Sequence, residues 1–200
     1  MLFRSQISSP GNDPSVITVG AVNMHGTNGR SDDTVDLFSS RGPTRSGYTS
    51  SGGVKTADNL LKPDLVAPGN KIVGAAATAS NALNWNLLGK TWNAALVAPL
   101  GVAANLNETQ MLLSGTSIAA PAVAGAAALL LQANPGLTPP AIKAILQGSA
   151  QPLPNANLLQ QGAGLLNVDG AIMVARVMRT DLSTLIAAGS IAPEIGRAHV

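Results

Sequence analysis

Ser114-Gly115-Thr116-Ser117-Ile118-Ala119-Ala120-Pro121-Ala122-Val123-Ala124-Gly125 is the stretch of this chain whose residue types and spacing can do covalent chemistry. The apolar run Met111-Leu112-Leu113 precedes it, and Ala126 to Leu131 follows it. An apolar run, a Gly/Ser/Thr turn and an apolar helix together place Ser117 at or near a helix start. The N–H groups of a helix's first turn have no intrahelical acceptors and carry the positive end of its dipole. A serine there can attack a carbonyl carbon while nearby N–H groups stabilise the oxyanion that forms. The pattern equally suits a plain helix cap, because Ser and Thr are common caps. Pro121 falls four residues after Ser117 and removes the donor that the Ser117 carbonyl would use in a regular helix. The helix therefore starts late or has an irregular first turn.

A serine nucleophile needs a base to take its proton and a carboxylate to orient that base. The histidines available are His25 and His199. Asp32, Asp33, Asp36 and Asp64 precede the serine, and Asp169 and Asp181 follow it. Gly115-Thr116-Ser117-Ile118-Ala119 is one residue short of Gly-x-Ser-x-Gly, the nucleophile elbow of α/β-hydrolases. That order of residues would select Asp169 or Asp181 together with His199, in an esterase. The absence of cysteine excludes disulfides, zinc–thiolate sites and a cysteine nucleophile. Gly162-x-Gly164 lacks the third glycine of a dinucleotide site, and no aspartate pattern matches an EF-hand loop.

The elements that would position these groups alternate along the chain. Ser15 to Val22 is β-branched and apolar and reads as a buried strand. Asn23 to Asp33 reads as a polar loop, and Val35 to Phe38 as a short strand. Thr44 to Asn59 reads as a flexible stretch. Pro63 and Pro68 bracket a short strand at an edge or strand end, and Lys71 to Ala75 continues as another. The serine helix is apolar all round and rich in Ala and Gly, so it is expected to be buried with neighbours packed close. Asn134-Pro135-Gly136 ends it. Thr138-Pro139-Pro140 opens a second helix, with a capping threonine and proline at the first helical position; Gly148 closes it. Beyond Thr180 the residues are small and polar.

Two hundred residues with 46% hydrophobic content suit one domain with a real core. Only 11% are charged and the net charge is +2, which gives no electrostatic footprint for nucleic acid. Arg41, Arg45, Lys55 and Lys62 are scattered among glycines and serines and read as a solvated loop. The longest apolar run, around Ile118 to Leu131, is shorter than the roughly 20 residues of a membrane span. Met1 to Gln6 has no apolar core of signal-peptide length.

Ser-Gly-Thr-Ser-x-Ala-x-Pro-x-Val-Ala-Gly resembles the active-serine segment of the subtilisin-like serine peptidases, the subtilases, whose second serine is the nucleophile. Ile118 and Ala122 depart from the commonest form, which has Met and often His there. Further segments resemble the same family: Val16 to Ala21, Phe38-Ser39-Ser40-Arg41-Gly42-Pro43, Leu61 to Gly69, Thr138 to Leu146, and Gly162 to Asn167, the last resembling the Gly-x-Gly turn before the family's last domain helix and so implying a helix from about Val168 to Val177. The resemblance implies an α/β fold, a largely parallel sheet flanked by helices with the serine helix at its centre. It implies a serine endopeptidase that hydrolyses polypeptides through an acyl-enzyme on Ser117. The family's Asp-Ser/Thr-Gly, His-Gly-Thr-His and Ala-Ala-Gly-Asn segments have no intact counterpart here. His25-Gly26-Thr27-Asn28-Gly29 follows the Val-Gly-Ala strand, whereas the family's histidine motif precedes it, so His25 reads as a surface-loop residue.

Residues 9–178 are therefore expected to be the C-terminal part of a subtilase catalytic domain, with the N-terminal part missing and this chain alone inactive. A non-catalytic scaffold or binding protein is the other reading. The connection 78–110 is longer than the family's and reads as an insertion. Its Trp85 and Trp92 read as anchors of a small satellite cluster rather than a cleft wall. Residues 179–200 form a tail whose end, Gly196 to Val200, matches nothing in the family and reads as a non-native remnant. Subtilases are usually secreted, and the export signal of such a parent would lie upstream. Many bind structural calcium, but no residue here is nominated for a metal or other cofactor.

Overall fold

Glycine and alanine next to β-branched residues let a strand be covered on both faces, and this chain builds its centre that way. The computed structural model describes residues 6–75 and 110–190. Strand β1 (Val19–Asn23) buries Gly20, Ala21 and Val22 in succession. Strand β2 (Thr34–Val35) pairs antiparallel to it, and the chain then turns back through Asp36 to Ser39, where Ser39 N–H donates to the Asp36 carbonyl. The expected strand to Phe38 is therefore cut short, and Leu37 stands 84% exposed. The expected flexible stretch 44–59 instead forms a hairpin, β3 (Gly47–Thr49) with β4 (Lys55–Ala57). Thr44 and Asp58 latch its neck, Oγ1 to Oδ1 at 2.7 Å.

Strand β5 (Leu65–Pro68) pairs parallel to β1, Val19 opposite Leu65 through Val22 opposite Pro68. Parallel pairs are found with both faces covered, and Leu65, Val66 and Ala67 are fully buried. Strand β6 (Ile72–Ala75) pairs antiparallel with β7 (Gln110–Leu113). The architecture is α/β as expected, with a mixed pairing among the described residues around one parallel pair. Trp85, Trp92 and most of the expected insertion lie outside the described residues, as does His199.

Helix α1 (Thr116–Ala133) packs on β1 and β5 through one stripe, Ala119, Val123, Ala126 and Leu130. All-round burial does not hold among the described residues. Ala120, Pro121, Ala124, Gly125 and Ala128 are exposed and Leu129 is 44% exposed, on the face away from the buried stripe. At 18 residues α1 has the length and apolarity of a short membrane span, yet its stripe is engaged with the sheet. Helix α2 (Pro139–Ser149) starts after Thr138 as expected, although the threonine side chain makes no capping bond, and it runs through Gly148 to Ser149. Short α3 (Leu158–Gln161) is closed by a reciprocal Asn157–Gln160 capping box. Helix α4 (Val168–Val177) has the expected bounds, and α5 (Leu182–Ala187) forms where the sequence looked featureless. Gly162 (φ 59°) must lack a side chain, since a Cβ there would lie 2.2 Å from the Pro63 carbonyl oxygen. The turn lets Val66 N–H donate to Gly164 O and Leu166 N–H to Val66 O, so this strand-like stretch covers the free edge of β5.

Lys62 is not on a solvated loop. It is buried, with Nζ 2.7 Å from Asp64 Oδ2 and 3.0 Å from the Val16 carbonyl. Asp64 also accepts from Thr18 N–H at 2.7 Å and pairs with Lys143 of α2 at 3.1 Å. One carboxylate thus ties the approach to β1, the start of β5 and α2 together. Burial lowers the Lys62 pKa below its ordinary value of 10.5, and the Asp64 carboxylate opposes that shift. Removing one member of a buried pair leaves a charge uncompensated. Asp64→Ala is therefore expected to cost about 3–5 kcal/mol of folding stability, read from the denaturant midpoint. A change within about 0.5 kcal/mol, the scale of a surface substitution, would show that the triad does not hold these segments.

Candidate active site

The antiparallel β6–β7 pair delivers Ser114 and Gly115 to the C-terminal ends of the parallel strands. Gly115 N–H donates to the Gly69 carbonyl at 2.8 Å, and Lys71 N–H donates to Ser114 Oγ at 2.8 Å. This contact needs Gly69 to be glycine. A Cβ there would lie 2.7 Å from Ala21 Cβ, 2.9 Å from Gly115 O and 3.1 Å from Ala119 Cβ. Helix α1 starts at once, at Thr116, so the irregular first turn is realised rather than a late start. Ile118 and Ala119 N–H both donate to Gly115 O, at 3.0 and 3.2 Å. Pro121 stays inside the helix and leaves the Ser117 carbonyl without its helical donor.

Ser117 is exposed. Among the described residues its hydroxyl has no hydrogen-bond partner, nor have the N–H groups of Thr116 and Ser117. Free N–H groups beside an exposed hydroxyl, at the positive end of an 18-residue helix, form an anion-stabilising arrangement. A pocket of about 190 Å³ opens beside Thr116, between Ile7, Ser8, Val19 and Ser40.

The remaining candidates are placed elsewhere or otherwise engaged. His25 follows β1 on an exposed turn with φ 51°, and its Nε2 lies 3.0 Å from Thr34 Oγ1; no described hydrogen bond joins it to Ser117. Asp32 accepts from Thr27 Oγ1 at 2.9 Å. Asp33 is 1% exposed with neither carboxylate oxygen partnered among the described residues. Asp36 is buried, with one oxygen taken by Asn70 Nδ2 and the other unpartnered. Asp64 belongs to the lysine triad. Asp169 sits in the first turn of α4, and exposed Asp181 is paired with Arg179 at 2.7 Å. No group of three His, Asp or Glu among the described residues could hold a metal ion. Gly69 and Asn70 are the functional neighbours that sequence reasoning missed. The signal was a glycine after proline, next to a helix of small residues.

Residues 4–167 match the sequence model of the subtilase family. The chain belongs to the subtilase family. It is 34% identical over 166 residues to the serine protease AprX of Bacillus subtilis (strain 168), covering 83% of this chain and 31% of that protein. It is 33% identical over 130 residues to the subtilisin-like protease SBT1.6 of Arabidopsis thaliana, covering 64% of this chain and 14% of that one. It thus spans less than a third of the length of these relatives. Among solved structures it resembles fervidolysin from Fervidobacterium pennivorans, a keratinolytic enzyme related to subtilisin, with TM-score 0.57 and 28% identity over 82% of this chain and 20% of that one. The CspB protease of Clostridium perfringens shares the fold, with TM-score 0.55 and 24% identity over 88% of this chain and 30% of that chain. Membership of this family leaves no part for the order Ser117, Asp169 or Asp181, His199.

Asp33 and Asp36 give this subtilase region a pH signature. Burial raises both carboxyls above the ordinary aspartate value of 3.8, against opposing contributions from His25 on both, from Arg30 on Asp33 and from Asn70 on Asp36. A raised folded-state value means that the folded protein holds these protons more tightly than the unfolded chain does. Their contribution is therefore fully present below about pH 4 and is lost as pH climbs through the folded values. The thermal midpoint of Asp33→Asn should fall less than that of the wild type on going upward from pH 4. Parallel curves for the two proteins would refute the assignment.

Proposed function

We propose that the protein carrying this chain is a serine endopeptidase and that Ser117 is its nucleophile. The observation that carries this reading is the exposed Ser117 hydroxyl beside the N–H groups of Thr116 and Ser117, which have no partner among the described residues, on the C-terminal ends of β1 and β5. Ligands of α/β sheets bind at that end of the strands. Ser117 Oγ would attack the carbonyl carbon of a peptide bond, giving its proton to a base. The tetrahedral oxyanion would be met by the helix's N-terminal amides. Collapse, with the base passing that proton to the departing nitrogen, expels the amine and leaves an acyl group on Ser117, and water then hydrolyses the ester to release the acid. Polypeptides are the substrates and the extracellular space the setting, both in keeping with the family.

The mechanism needs a histidine base and an orienting carboxylate. The described residues bring neither to Ser117. That same observation favours a second reading, a subtilase scaffold kept for binding. A fluorophosphonate probe separates the two, because it bonds only to an activated serine. Labelling of the whole protein at Ser117, together with peptide hydrolysis, supports the peptidase. Ser117→Ala should remove labelling and lower turnover on the order of a million-fold, the loss known when subtilisin, a member of this family, loses its serine. Labelling that survives the substitution refutes the role of Ser117. A protein that takes no label and hydrolyses no peptide favours the scaffold. The isolated chain is expected to hydrolyse nothing measurably.

A further inference from the structure

We propose that Asp36 and Asn70 are positioning residues for Ser117, an inference that rests on the nucleophile reading above. The turn Gly69-Asn70-Lys71, between β5 and β6, holds the serine's flank at two points. The Gly69 carbonyl accepts from Gly115 N–H and Lys71 N–H donates to Ser114 Oγ, both at 2.8 Å. Asn70 lies between these two contacts, and its Nδ2 donates to Asp36 Oδ1 at 2.5 Å. Asp36 is itself fixed to the sheet, its N–H donating to the Ala21 carbonyl at 2.9 Å and its carbonyl accepting from Ser39 N–H at 3.1 Å. Ala21 is fully buried, a Cβ on Gly69 would meet its methyl group, and Gly69 N–H donates to the Val22 carbonyl of β1 at 3.1 Å. A closed circuit results: β1 holds Asp36, Asp36 holds Asn70, the Asn70 turn holds Ser114 and Gly115, and Gly69 rests back on β1.

A buried carboxylate is costly to desolvate, and this one has a single described partner. That partner's only described side-chain bond is to the carboxylate. Helix capping, strand pairing and the lysine triad make no use of the pair. Its geometric effect is to fix the height of the turn against β1. The turn fixes Gly115, and Gly115 O receives the first two hydrogen bonds of α1, from Ile118 and Ala119 on the C-terminal side of Ser117. Displacement of a reacting group by about 1 Å costs up to a hundredfold in rate.

The experiment uses the whole protein with Asn70→Ala, Asp36→Ala and the exchanged pair Asp36→Asn with Asn70→Asp; Asn70→Ser is the milder variant should an alanine variant fail to fold. Hydrogen exchange of the Lys71 and Gly115 amides should become several-fold faster in the single variants, with the amide of Leu130 unchanged. The turnover number should fall roughly ten- to a hundredfold with KM little changed. The exchanged pair should restore both, because amide donor and carboxylate acceptor merely change sides. Unchanged exchange at Lys71 and Gly115 overturns the proposal whatever the activity. Accelerated exchange with full turnover overturns it too, as does an exchanged pair as impaired as the single variants. A wild-type protein that takes no label at Ser117 overturns the nucleophile reading instead, and the exchange rates alone then decide whether the pair holds the turn.

Discussion

The close approach of Gly69 to Gly115 and Ala119 is the constraint on which the site depends. Three backbone and methyl groups stand within 3.1 Å of where a Gly69 side chain would begin, so the start of α1 touches the sheet directly. That contact lets Gly115 N–H reach the Gly69 carbonyl, and it fixes the level at which α1 leaves the sheet. The alanines at 21 and 119 follow from it. At this point the helix can sit so low only because the side chains that meet there are methyl groups, and both are fully buried in one cluster. The Ser117 hydroxyl is therefore offered from a helix start held against the sheet rather than from a loop.

A second constraint comes from charge. The chain is sparing with ionic groups, yet Lys62, Asp64 and Lys143 meet almost without solvent. Buried pairs of this kind do more for specificity of arrangement than for net stability in several systems. Here the carboxylate takes the Thr18 amide and two ammonium groups, so β1, β5 and α2 can assemble in one register. The triad lies at the N-terminal ends of the parallel strands, and the Gly69 contact lies at their C-terminal ends. Structural ion pairing and the proposed chemistry thus occupy opposite ends of the same two strands.

Much of this was legible in the chain, for stated reasons. The pattern Ser114 to Gly125 located the helix start because a turn between two apolar runs leaves few alternatives. Pro121 announced an irregular first turn because a missing N–H has a fixed consequence. Val168–Val177 was readable through the resemblance of Gly162 to Asn167 to the turn before the family's last domain helix. What stayed hidden depended on contacts distant in sequence. Lys62 reads as solvated until Asp64 is seen to face inward with Val16. The β3–β4 hairpin depends on the Thr44–Asp58 latch, which polar residues in a Ser/Gly-rich stretch do not advertise. One face of α1 is exposed and the other is buried, and an all-apolar sequence cannot report which is which. Asn70 was overlooked because its partner Asp36 comes from a different loop.

The central claim is that Ser117 is presented for covalent attack by the helix start seated on Gly69. Its most direct test is a crystal structure of the whole protein soaked with a peptide boronate, which captures an attacking serine as a tetrahedral adduct. The account predicts continuous density from Ser117 Oγ to boron, with one boronate oxygen turned toward the Thr116 and Ser117 amides. Boron bonded to another side chain, or a peptide bound with the Ser117 hydroxyl unmodified, would contradict it.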